Sequence, residues 1–84
     1  MNIIKVFGTN LRKKRIEKGL SQEKFAELCN LHRTYISDIE CFTRNISLET
    51  VQKIADALEI DSYTLLMIDE EEKQWPRKKL EKKF

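Results

Sequence analysis

One local signature recurs four times along the chain: an apolar residue, a residue able to cap a helix, and a second apolar residue five places after the first. The pairs are Leu20/Phe25, Leu31/Ile36, Ile46/Val51 and Ile60/Leu65, and directly after the first members stand Ser21, His32, Ser47 and Asp61. Five places is the N′-to-N4 distance at which two apolar side chains close over a helix entrance as a hydrophobic staple. Ser21, Ser47 and Asp61 each carry a short side-chain oxygen that accepts from the free amides of a first turn, whereas His32 is a poorer cap. The signature predicts helix starts near 22, 33, 48 and 62.

Ahead of these, Ile4, Phe7, Gly8, Leu11 and Arg15 fall on one face of a helix, and Gly19 is a natural stop, so a first helix is expected over about residues 3 to 18. Leu48, Val51, Ile54, Ala55 and Leu58 repeat that facial pattern in the fourth helix. The second and third helices are short and meet through Cys29, Asn30 and Leu31. The expectation is an all-α domain of five helices over residues 1–68. With two glycines and one proline in 84 residues, the chain lacks the turn punctuation of an all-β fold. A chain this short buries only about 60–65% of its unfolded surface, which leaves little room for a deep catalytic pocket. One histidine, no glycine-rich phosphate loop and no nucleophile with a base at helical spacing argue against an enzyme, and no cofactor or metal is expected.

The net charge is only +2, from 16 Lys+Arg and 14 Asp+Glu, but it is unevenly spread. Residues 1–53 carry ten basic and six acidic side chains; residues 54–84 carry six and eight. Cys29 and Cys41 are too few and too far apart for a disulfide framework or a zinc site, and are expected to be reduced thiols. Met1 to Gly8 has neither the charge pattern nor the apolar run of a signal peptide or membrane span, so a cytoplasmic protein is expected. Beyond Ile68 the chain becomes acidic, breaks at Trp75-Pro76 and turns basic through Arg77, Lys78, Lys79, Lys82 and Lys83. Residues 69–84 read as a solvated tail, or as a short extra helix carried by Trp75, Leu80 and Phe84.

Residues 22–41 have the spacing of a helix-turn-helix. Phe25, Cys29, Leu31, Ile36 and Ile39 supply its apolar contacts, Ala26 allows close crossing, and Asn30 suits a left-handed turn residue. An ordinary helical hairpin is the alternative. On Leu11-Arg12-Lys13-Lys14-Arg15, Gly19-Leu20-Ser21-Gln22-Glu23 and Leu31 through Glu40, the chain resembles the lambda-repressor-like (XRE) helix-turn-helix family over about residues 7 to 68. Within it, His32 through Ile36 followed by Arg44-Asn45-Ile46-Ser47 resembles the controller proteins of restriction-modification systems. That resemblance implies a compact five-helix domain, double-stranded operator DNA as partner, a homodimer, and contact with RNA polymerase where the regulator activates.

Arg15 lies on the apolar stripe of helix one, where an unpartnered charge is costly. The resemblance implies a structural ion pair with Glu40, which sits inward on helix three four residues after Ile36. With Ile36 and Ile39 also inward, Thr34, Ser37 and Asp38 should face out, and Arg33 and Tyr35 should flank the first turn. These five are the base-reading candidates. Arg33 suits guanine O6 and N7, and Thr34 or Tyr35 a thymine methyl or phosphate. Asp38 suits either a cytosine amino group or a local cap on Thr34, and Tyr35 has the alternative of a shelf against helix two. Phosphate contact is implied at Gln22, with Arg12, Lys14, Arg44 and Asn45 as further candidates.

The chain departs from the family after Glu40, where Cys41-Phe42-Thr43 replaces the usual glycine stop. Phe42 must take an unusual backbone geometry, or use its ring to fill a contact. Tyr63, Leu65, Leu66, Met67 and Ile68 offer more apolar surface than a small core is expected to absorb, and form the expected dimer interface. A single recognition helix reads too few base pairs to select one site in a genome, whereas a two-fold pair spans half-sites about 34 Å apart. A phage-type repressor or an antitoxin would share all these residues. A protein-interaction module on the same fold is the alternative from another class.

Overall fold

The computed structural model describes residues 2–68 and contains four α-helices followed by one 3-10 helix. They are α1 (Ile3–Glu17), α2 (Gln22–Cys29), α3 (Arg33–Glu40), α4 (Leu48–Leu58) and the 3-10 helix Ser62–Leu66. No strand occurs among the described residues. The expected tail at 69–84 lies outside them.

The helix starts are set by caps. Asn2 accepts from the amides of Ile4 and Lys5, Ser21 from that of Lys24 and Ser47 from that of Thr50, each satisfying donors that the helix leaves free. His32 makes no side-chain cap. Asp61, expected to cap a fifth α-helix, makes none either, and the segment after it corrects that expectation: it is a single five-residue 3-10 helix. Its end is held from α1. The buried side-chain amide of Asn10 donates to the carbonyls of Leu65 and Met67, at 2.9 and 2.7 Å, so a side chain holds the end of the segment where a further α-turn would otherwise do so.

All four α-helices stop in the same way. After each, one residue turns left-handed and the next donates back to the carbonyl five positions earlier, the Schellman closure. The turning residues are Gly19 (φ 70°), Asn30 (58°), Phe42 (64°) and Glu59 (58°). The returning amides are Leu20 to Arg15, Leu31 to Ala26, Thr43 to Asp38 and Ile60 to Ala55, at 2.9 to 3.1 Å. Glycine and asparagine tolerate this conformation, whereas Phe42 and Glu59 hold it at a cost of roughly 1–2 kcal/mol each.

The core is continuous from α1 to the 3-10 helix. Phe7, Leu11, Phe25, Ile36, Ile39, Ile54, Leu58 and Leu65 are its large, fully buried members. Leu65 therefore belongs to the domain's own core and leaves the expected dimer surface. Ala26 and Ala55 keep the helices close, and Cys29 is buried beside them. Burial raises the Cys29 thiol from 9.0 to about 11, with the nearby charge of Lys53 acting in the opposite sense.

Gly8 decides how closely α1 and α3 approach. A Cβ there would overlap the backbone carbonyl of Ile39 and press on the ring of Phe42. Replacing an interior helical glycine by alanine gains up to about 1 kcal/mol in propensity, but overpacking against fixed atoms costs about 1–3 kcal/mol. Because the nearest obstacle is backbone, the cost should win. Gly8→Ala is expected to lower the urea midpoint, and adding Phe42→Ala should not restore it; a midpoint at or above wild type would show that the two helices can part freely.

A second expectation concerns alkaline pH. The folded thiol of Cys29 binds its proton more tightly than the unfolded one, so its contribution is complete below about pH 9 and disappears as pH rises toward 11. The stability difference between wild type and Cys29→Val, measured by urea unfolding, should shift in favour of the variant across that window.

Candidate nucleic-acid interface

The leading end of α3 projects from the body while its trailing end is fixed. Ile36 and Ile39 are buried, and Glu40 turns inward to meet Arg15. The guanidinium of Arg15 engages both carboxylate oxygens: Nε donates to Oε2 at 2.7 Å and Nη2 to Oε1 at 3.0 Å. Nη1 donates to the carbonyl of Leu20 at 2.7 Å, and Gln22 Nε2 donates to Glu40 Oε1 at 3.1 Å. The two charged side chains are only 11% and 5% exposed. One node therefore joins α1, the turn before α2, the first residue of α2 and the last residue of α3. A forked, hydrogen-bonded pair can offset its own desolvation, but loss of one member strands the other.

At the leading end, Arg33 and Thr34 are exposed. Ser37 and Asp38 are half-buried on the same outward side. Tyr35 is placed differently. It packs against the core, with its hydroxyl 3.5 Å from Thr50 Oγ1, so its shelf is the first turn of α4 and not α2. Thr50 Oγ1 lies in turn 3.0 Å from Ser47 Oγ, the cap of α4. Arg44 lies over the Tyr35 ring, its Cζ 4.4 Å from the centroid, and its Nη2 donates to Asp38 Oδ2 at 3.0 Å. Asp38 thus takes neither a cap on Thr34 nor a free outward position.

The proposed phosphate contacts also divide. Arg12 and Asn45 are exposed. Lys14 is 3.5 Å from Glu17, and Gln22 is turned toward Glu40 with one amide hydrogen still available. Cys41 is exposed at the end of α3. Asn10 and Glu59 are structural residues that sequence reasoning missed. Asn10 falls beside Leu11 on the buried stripe, and a polar residue at such a position was the available signal. Glu59 carried none, since glutamate is an ordinary helix former.

On another face, Tyr63 is 62% exposed, Met67 is exposed, and Leu66 and Ile68 are half-buried. Leu66 also borders an apolar groove between the first halves of α1 and α4, with Ile3, Ile4, Phe7, Leu48 and Val51. Leu48 is 81% exposed there. No helix among the described residues is long and apolar enough to cross a membrane.

Two short helices crossing through Ala26, joined by a left-handed Asn30, and an outward second helix define a helix-turn-helix protein, and the chain belongs to that family: HTH_3, helix-turn-helix, matches residues 11–65. Its relatives narrow the class. The control protein C.BamHI of Bacillus amyloliquefaciens is 52% identical over 66 residues, covering 77% of this chain and 82% of that protein. The crystal structure of the restriction-modification controller protein C.AhdI from Aeromonas hydrophila is 44% identical with a TM-score of 0.71, over 74% of this chain and 90% of that one. The controller protein C.Esp1396I, solved as a tetramer in complex with its natural 35 base-pair operator, is 34% identical with a TM-score of 0.71, over 77% and 86% of the two chains.

The node between α1 and α3 gives a direct expectation. Arg15→Ala strands the buried Glu40 carboxylate and should lower stability by more than about 2 kcal/mol. Removing both charges together, as Arg15→Met with Glu40→Leu, should cost less than that single change. Chemical unfolding of the three proteins checks both statements, and an unchanged midpoint for Arg15→Ala would show the pair to be dispensable.

Proposed function

We propose that this chain is a sequence-specific transcriptional regulator, a controller protein of a restriction-modification system, that binds palindromic operators in double-stranded DNA as a homodimer. One observation carries the reading: Arg33 and Thr34 stand exposed at the open end of a helix whose other end is clamped by Arg15 and Glu40. A helix held in that way can present its first residues to base edges in the major groove at a fixed angle. The similarity to control proteins, one of them solved on its operator, supports the same use of this helix.

In this reading Arg33 pairs with a guanine, Thr34 packs against a thymine methyl, and Ser37 and Asp38 read farther along the groove. Tyr35 contributes from the flank as support for Arg44. Arg12, Lys14, Gln22 and Asn45 hold phosphates and set the register without choosing the sequence, and Arg44 reaches a phosphate on leaving Asp38. Pairing through Tyr63, Leu66, Met67 and Ile68, extended by Leu48 and Ile3, places two such helices on one side of the duplex. The protein acts in the cytoplasm, catalyses no reaction, and meets RNA polymerase where its operator lies in an activating position.

Duplex binding through several phosphates must weaken steeply with salt, at a slope of about −0.9 in log K against log salt per phosphate neutralised. A hydrophobic protein partner gives a slope near zero. Gel-shift titration on the DNA upstream of the chain's own gene should show the steep dependence. Arg33→Ala should weaken binding to that DNA by about 1–3 kcal/mol while changing affinity for scrambled duplex far less. Equal losses on both duplexes would make Arg33 a phosphate contact and not a base reader.

A further inference from the structure

We propose that Asp38 is a specificity-determining residue that works by withholding Arg44 from the DNA backbone, an inference that rests on the DNA-binding reading above. The turn after α3 folds back on Asp38 twice over. Its carbonyl accepts from both the amide and the hydroxyl of Thr43, at 3.0 and 3.1 Å, and its carboxylate accepts from Arg44. The left-handed Phe42 makes that return possible. The guanidinium of Arg44 then donates to a carboxylate and lies over an aromatic face, with Tyr35 itself anchored through Thr50 to the cap of α4.

The arrangement places a cation beside the reading end of α3 and cancels its charge. A free arginine at that position would grip the phosphates of any sequence, raising affinity for every duplex alike. Held by Asp38, it contributes little to that general attraction. The two side chains are 42% and 35% exposed, so the pair is solvated enough to open at low cost. A cytosine amino group in the groove is a donor that can take over the Asp38 carboxylate, whereas an acceptor edge repels it. Only the first leaves Arg44 free to swing onto a phosphate. Base identity at one position is thereby coupled to backbone grip, and discrimination comes partly from contacts denied to the wrong sequence.

The test is Asp38→Asn, which keeps the size of the side chain and leaves the backbone bonds to Thr43 in place. Affinity is measured for the DNA upstream of the gene and for a scrambled duplex of equal length, across a range of salt, in wild type, Asp38→Asn, Arg44→Ala and the double variant. Asp38→Asn should bind scrambled DNA about tenfold more tightly at low salt, with a salt slope steeper by about 0.9, one additional phosphate. Its preference for the upstream DNA should fall. In the Arg44→Ala background the same change should do little. An equal gain with and without Arg44 overturns the proposal, because Asp38 would then act only as a negative charge near DNA; so does an unchanged slope. If wild type binds neither duplex, the DNA-binding reading itself fails and takes this one with it. Wild-type binding with no response to Asp38→Asn removes the present inference alone. Thermal unfolding of each variant separates any loss of fold from these outcomes.

Discussion

Four segments of this small protein converge on a single buried charge pair. Arg15 projects from the apolar stripe of α1, Glu40 ends α3, Gln22 opens α2, and the carbonyl of Leu20 marks the turn between α1 and α2. An arginine in that setting loses its water, and isolated burial of a charge costs several kcal/mol. The loss is met by a two-pronged contact to carboxylate and one more bond to backbone, so all three nitrogens of the guanidinium donate and three of its five N–H groups are used. A hydrophobic replacement could make an equally stable core. What it could not supply is direction: the fork fixes α3 relative to α1 in angle as well as in distance, and the orientation of the reading end follows from it.

The helix ends show a second economy. The four closures are the same in geometry but very different in residue type, running from glycine, which fits without strain, to phenylalanine, which does not. At Phe42 the strain is tied to packing, since its ring covers the place where α1 lacks a side chain at Gly8. Glycine after α3 would relax the turn and uncover that spot. The chain instead accepts a costly backbone conformation and obtains a cover for the α1–α3 crossing.

Much of this was legible in the sequence, because it is local. The staple and cap spacing located all four later starts to the residue, and Gly19 and Asn30 marked two of the four stops in advance. Arg15 on an apolar stripe called for an acidic partner, and the resemblance indicated which one. Contacts across the chain were not legible. Nothing near Asn10 announces that its amide reaches residues 65 and 67, and nothing near Leu65 separates a core leucine from a surface one in an apolar run. Apolar periodicity also fails to distinguish a 3-10 turn from one turn of α-helix, which is why five α-helices were expected where four and a 3-10 helix occur. At the reading end, residue type suggested Arg44 and Asp38 as separate contacts with DNA, whereas the turn at Phe42 brings them to each other.

Asn10 has a consequence for how the chain is made. Its two acceptors lie 55 and 57 residues downstream, so α1 emerges from the ribosome long before anything exists to occupy that amide. At about 5–20 residues per second the interval is several seconds. During that time the polar group sits on an otherwise greasy surface and favours solvent over premature collapse. The domain is clasped shut only when residues 65 and 67 arrive, so α1 stays unfastened until the 3-10 helix has been made.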